Sequence, residues 1–127
     1  MSGPSKVTET AFDPNGLLVQ LLGAPVFGET VTILSGQNLA AGAVLGQITS
    51  GGKYILSLSG ASDGSQTPDA ILAAACDASG GDAQAYVYFA GEFNAAKLTL
   101  GTAHANNVAF RKALARKGIF VHTPQPA

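Results

Sequence analysis

Charge is scarce in this chain. Asp, Glu, Lys and Arg make up 12% of its 127 residues, about half of the roughly 25% usual in soluble domains. A well-behaved surface is about a quarter to a third charged, so the shortage predicts a face hidden against copies of the chain or against a partner. The alternative is a monomer with a skin of Gly, Ser, Ala and Thr. Net charge is −1, which excludes a general attraction to nucleic acid or to acidic membranes. No basic stripe carries interleaved aromatics, so neither a direct nucleic-acid partner nor a membrane is expected.

Cysteine is nearly absent as well. Cys76 stands alone, which rules out an intrachain disulfide and a cysteine-based zinc site and points to a reducing compartment. Long apolar runs are missing: the longest, GLLVQLLGAPVF over 16–27, is too short to cross a bilayer. The N-terminus lacks the charged, apolar and small-residue order of a signal peptide. The chain therefore reads as a soluble intracellular product. Its length suits one domain, burying roughly two thirds of its unfolded surface.

What is present begins with a stretch of little periodicity. Residues 1–15 mix Ser, Thr, Pro, Gly and isolated charges, as an extended arm does. Asp13-Pro14-Asn15-Gly16 reads as a turn, and 16–27 is too apolar for a free arm, so it should pack on the domain or on a partner. Alternation predicts strands over 28–34, 42–49 and 53–58, the last two joined by a Ser50-Gly51-Gly52 hairpin loop. After the loop GASDGSQT (60–67), Thr67-Pro68-Asp69 suits a helix start as well as a turn, and the run AILAAAC (70–76), whose alanines also favour helix, is short, ends in a strong turn and reads as a strand. It should pair with QAYVYFA (84–90) across the turn 77–82. In the second of these Tyr86 and Tyr88 share one face and Val87 and Phe89 the other, one face meeting the core and the other an interface or solvent. Gly91 lets the backbone bend, and Glu92-Phe93-Asn94 leads into a further strand near 96–100.

Near the C-terminus Asn106 or Asn107 caps a helix over VAFRKALARK, which Gly118 stops. Phe110, Ala113 and Leu114 form its packing side, leaving Arg111, Lys112, Arg116 and Lys117 wet. A short strand over 119–121 follows. No internal repeat is visible.

Candidate chemistry is thin. Gly60-Ala61-Ser62-Asp63-Gly64 matches the G-x-S-x-G of a nucleophile elbow, yet the chain is too short for the sheet such hydrolases need, and a flexible turn is the better reading. Gly46 to Lys53 nearly matches a phosphate-cradling loop, but it joins two strands and has Tyr54 where a hydroxyl for magnesium belongs. His104 and His122 are the only histidines. Neither has a second His, a Cys or a close carboxylate at ligand spacing, so each reads as a surface or helix-flanking residue. Asp63, Asp69, Asp77 and Asp82 fall in predicted turns, where Asp bonds its own backbone. Cys76 reads as a small buried hydrophobe. No catalytic residue, metal site or cofactor is assigned; a small enzyme would need Ser62 or an Asp beside one of the histidines in a pocket.

Three pieces carry a resemblance: GAVLGQITSGGKY (42–54), PDAILAAACDASGGDAQAYVYFAGEFN (68–94) and ALARKGIFV (113–121). Their order resembles the head decoration proteins of tailed bacteriophages, the family of the lambda capsid-stabilising protein. The resemblance implies a mainly β fold with one or two short helices, a small β-clip-like (β-tulip) domain over 16–127 with an extended N-terminal arm over 1–15. It implies a non-enzymatic homotrimer, made in the host cytoplasm and placed on the exterior of the virion capsid, where it cements the major capsid protein of an expanded shell. The capsid-binding arm would map to Ser5, Lys6, Val7, Thr8, Glu9, Thr10 and Phe12. The structural or interface candidates are Tyr86, Tyr88, Gly91, Glu92, Phe93 and Asn94. The competing function is a small binding or adaptor module that uses Tyr86, Tyr88 and Phe93 as an aromatic patch.

Overall fold

Adjacent side chains in two short strands face two different cores, and this doubling organises the molecule. The computed structural model describes residues 17–19, 23, 25–101 and 108–122. In chain order they form β1 (Phe27–Ile33), β2 (Asn38–Leu39), β3 (Val44–Gln47), β4 (Tyr54–Leu56), β5 (Ala70–Leu72), β6 (Cys76–Asp77) and β7 (Ala83–Asn94). A 3-10 turn (Ala95–Lys97), α1 (Val108–Ala115) and β8 (Ile119–His122) complete the set.

β1 pairs with β4, β4 with β3, β3 with β5, β5 with β7, and β7 returns to β1 from Ile33↔Ala83 to Phe27↔Ala90. The circuit closes, so the small barrel leaves none of these strands as a free edge. Only the β1–β4 pairing is parallel within the circuit. A register shift between Phe27 and Gly28 leaves Phe89 as the extra residue of a bulge, which bends a strand and raises its twist where a barrel must turn.

Inside the barrel lie Ile33, Leu45, Tyr54, Ala70, Leu72 and Val87, with Val31 and Phe89 packed against them. Outside it, a second core joins Val44 and Ile71 to Leu17, Leu18, Phe93, Phe110, Leu114 and Ile119. Val44 and Leu45 thus serve opposite cores, as do Ile71 and Leu72, because successive strand side chains point to opposite faces. Strands buried on both sides need no charged face, which accounts for part of the chain's low charge.

The mainly β class with a short helix matches the sequence expectation, as do β1, the β3–β4 hairpin and the β5–β7 pairing. Leu17, Leu18 and Val26 pack on the domain, as the apolar character of 16–27 predicts. The turn over 13–16 lies outside the described residues. Four details differ. The strand expected over 70–76 ends at Leu72, and Cys76–Asp77 pairs instead with Asn38–Leu39, a pair of strands that the sequence reading did not anticipate. The intervening alanines are weak strand formers and carry little surface to bury. Near 96–100 there is a 3-10 turn and one bridge, Ala43↔Thr99. Asn94 diverts the chain by accepting the Ala96 N–H on its Oδ1 at 3.0 Å, a cap that starts a helical turn.

The third difference lies in α1, where the buried face is Phe110 and Leu114, one turn apart, while Ala113 is exposed. Asn106 and Asn107 lie outside the described residues. The helix does end as predicted: Gly118 has φ +89°, and the Gly118 N–H bonds the Ala115 carbonyl at 3.0 Å, a left-handed stop that glycine takes without a Cβ clash.

The fourth concerns Gly91. The strand expected over 84–90 runs on through it to Asn94, twelve residues in all, and exchanges partners at the glycine. Up to Ala90 it pairs with β1; from Gly91 to Asn94 it pairs in parallel with Ile119–His122.

Candidate functional site

The second half of β7 is held on both flanks. On one side lies β8, with the Gly91 N–H bonding the Gly118 carbonyl at 3.0 Å; on the other lie residues 17–19. There the Val19 N–H donates to the Glu92 carbonyl at 3.0 Å and the Asn94 N–H to the Leu17 carbonyl at 2.8 Å. The chain that carries the predicted arm therefore enters the fold against β7. Ser5, Lys6, Val7, Thr8, Glu9, Thr10 and Phe12 themselves lie outside the described residues.

The interface candidates divide by burial. Phe93 is 0% exposed, set against Leu17, Leu18 and Ile119 in the outer core. Tyr88 is half-buried, its ring 5.7 Å from Phe93 and 5.7 Å, edge to face, from Tyr86. Tyr86 is 47% exposed and lies over the Gly28 backbone. Tyr86 and Tyr88 share a face and Val87 and Phe89 the other, as alternation predicts, but both faces cover a core: Val87 fills the barrel and Tyr88 packs on the outer cluster. With Phe93 inside, the three rings do not form the surface patch that an aromatic adaptor would use.

Glu92 is the charge in this stretch that sequence reasoning left without a partner. It is fully buried, and its Oε1 lies 3.0 Å from His122 Nε2, whose side chain is 23% exposed. His122 is thus not simply a surface residue: the parallel pairing of β7 with β8 sets Asn94 opposite it and brings its ring to the carboxylate. A buried carboxylate needs such donors, since an unpaired one is costly. His122→Ala is expected to lower stability by about 1–2 kcal/mol, read as an earlier urea midpoint with an unchanged m-value. An unmoved midpoint would mean that water replaces the imidazole at no cost.

Four aspartates and Tyr54 have local, structural roles. Asp63 accepts from the Ser65 hydroxyl and backbone, and Asp77 does the same with Ser79, so both carboxyls are held below the usual range. Asp82 is lowered by its bond to Lys53, at 2.6 Å, and by the Ser35 N–H. Burial, then the Asp69 charge, pushes the Tyr54 phenol up. Asp69 faces Lys117 at 3.5 Å. Turn chemistry explains Asp63 and Asp77, as predicted, whereas Asp69 and Asp82 hold lysines.

Ser62 is exposed on the β4–β5 loop, and Gly46 to Lys53 joins β3 to β4 as a hairpin. Cys76 is buried. His104 lies outside the described residues. Among the described residues no three His, Cys, Asp or Glu side chains gather as for a metal ion, and no helix is long and apolar enough to cross a membrane.

Comparison with curated proteins gives no match. The family model of the bacteriophage lambda head decoration protein D matches residues 8–119. The chain belongs to that family. Membership makes it a phage head decoration protein, a structural component of the virion capsid. The match takes in the barrel, the outer core and α1, and it reaches back to Thr8, within the stretch read as an arm. Sequence order alone pointed to this head decoration family; what it missed was the Glu92–His122 pair. A lone glutamate inside an otherwise apolar strand, in a chain with two histidines, was the available signal.

Proposed function

We infer that this head decoration protein binds the outside of an expanded phage capsid as a homotrimer and stabilises contacts between neighbouring major capsid subunits. Residues 1–15 serve as the arm and 16–127 as the β-rich body. Ser5, Lys6, Val7, Thr8, Glu9, Thr10 and Phe12 contact the shell, and the chain is made in the host cytoplasm before joining the virion. It acts by binding alone, without catalysis.

The observation that carries this reading is the extent of the family match, which starts at residue 8 and so includes about half of the arm along with the body. Physical chemistry supports it. A Ser/Thr-rich segment that adds a strand to a sheet edge gains main-chain hydrogen bonds with little demand on side chains. Repetition over a lattice multiplies modest contacts. Leu17 to Val19, bonded to β7, give such an arm a fixed root.

Co-sedimentation with expanded, undecorated capsids tests the reading. The intact chain should saturate at about one copy per major capsid subunit, and deletion of residues 1–12 should weaken attachment by about a hundredfold or more. The shortened chain should keep its melting temperature and its trimeric mass in sedimentation. Failure of the intact chain to pellet at high micromolar concentration would end the capsid reading, and unfolding of the shortened chain would make the arm part of the core.

A further inference from the structure

The four cations at the C-terminal end have no part in the proposed attachment through the arm. Arg111, Lys112 and Ala115 of α1 and Phe120, Val121 and His122 of β8 line a shared groove. Its volume is about 230 Å³, below the roughly 300–1,000 Å³ of small-molecule sites, so it suits one or two side chains of a peptide and not a cofactor. The Glu92 carboxylate holds the His122 ring at 3.0 Å. Of the chain's seven Lys and Arg residues, four fall within 111–117; Lys117 faces Asp69, while Arg111 and Lys112 bring positive charge to the groove on a molecule whose net charge is −1.

A groove lined by both apolar and cationic side chains complements an acidic segment carrying an apolar side chain, the charges setting orientation and the burial holding it. Single- or double-stranded nucleic acid fits less well, because the basic residues form one short cluster and no extended track. Phe120, Val121 and His122 also lie beyond the matched span of 8–119.

We propose that the α1–β8 groove is a second attachment point, which takes an acidic, apolar-containing segment of the capsid shell protein. This rests on the shell-binding reading above. The two contacts act as a bivalent grip, with the arm and the groove engaging the shell from one rigid body.

The test is co-sedimentation with expanded capsids over a range of salt, with the arm intact. Lys112→Glu, alone and with Arg111→Glu, is compared with the wild type and with Lys97→Glu, an equal charge change at an exposed position elsewhere. The groove variants should bind about tenfold more weakly at low salt, with the gap closing as salt rises, while Lys97→Glu binds as the wild type does. Circular dichroism melting verifies that each variant is folded. Val121→Ser, which leaves the charges in place, should weaken binding at every salt concentration.

Equal binding by wild type and groove variants would overturn the groove while leaving arm-mediated attachment standing. An equal loss in Lys97→Glu would overturn it too, by tracing the effect to net charge. If the wild type itself did not pellet, both readings would fall. Retention of a single-stranded oligonucleotide by the wild type but not by Lys112→Glu would reassign the groove to nucleic acid.

Discussion

Phe93→Ala is expected to remove about 3–5 kcal/mol of stability, the usual loss when a large aromatic leaves a cavity in a core. The ring is fully buried at the point where four pieces of chain meet: residues 17–19, β7, β8 and α1, represented by Leu17, Leu18, Ile119 and Leu114. Leu18 pairs directly with it as an isolated bridge, and Tyr88 leans on it at 5.7 Å. Two rigid layers, the barrel wall and α1, stand on either side, so collapse around the missing ring should be incomplete. Urea unfolding measures the loss, and amide exchange gives a second readout, since the Val19 N–H bonded to Glu92 should exchange sooner once Leu17 and Leu18 lose their support. A loss below about 1 kcal/mol would show that the outer core repacks freely.

Gly91→Val should destabilise by about 1–3 kcal/mol through backbone strain alone. Gly91 has φ +146°, a torsion that L side chains rarely adopt, and its place in the strand is pinned by the bond from its N–H to Gly118. A Cβ there would sit 3.3 Å from Phe93 Cζ and 3.6 Å from Leu18 Cδ2, so a branched side chain adds crowding to the strain. Gly91→Ala separates the two effects by keeping the torsional penalty with little of the bulk. Differential scanning calorimetry decides: a Val variant melting with the wild type would mean that the strand relaxes its torsion and that the partner exchange does not depend on glycine.

Legibility in the sequence followed the range of the forces involved. Alternation in QAYVYFA, the Gly51-Gly52 turn and the Gly118 stop are local, and each led to the correct element. The run AILAAAC was misjudged beyond Leu72 because alanine spacing says nothing about which layer will cover it; the tertiary pairing of Leu39 with Cys76 decided that. Ala113 was assigned to the wrong side of α1 because a small side chain fits either face. The family was readable from the order of motifs, whereas the Glu92–His122 contact spans thirty residues and depends on the parallel alignment of β7 with β8, which no spacing rule encodes. The burial of Phe93 depends on the same alignment, and it puts a ring that the adaptor reading needed at the surface in the centre of a core.

The attachment of residues 17–19 to β7 has a mechanical meaning. Tension on the chain ahead of Leu17 reaches the body through the backbone bonds between Leu17 and Asn94 and between Val19 and Glu92, on a strand that also closes the barrel against β1 and carries β8. A tug on the N-terminal segment is therefore not borne by a surface loop. It is delivered to β7, a twelve-residue strand that contributes side chains to both cores.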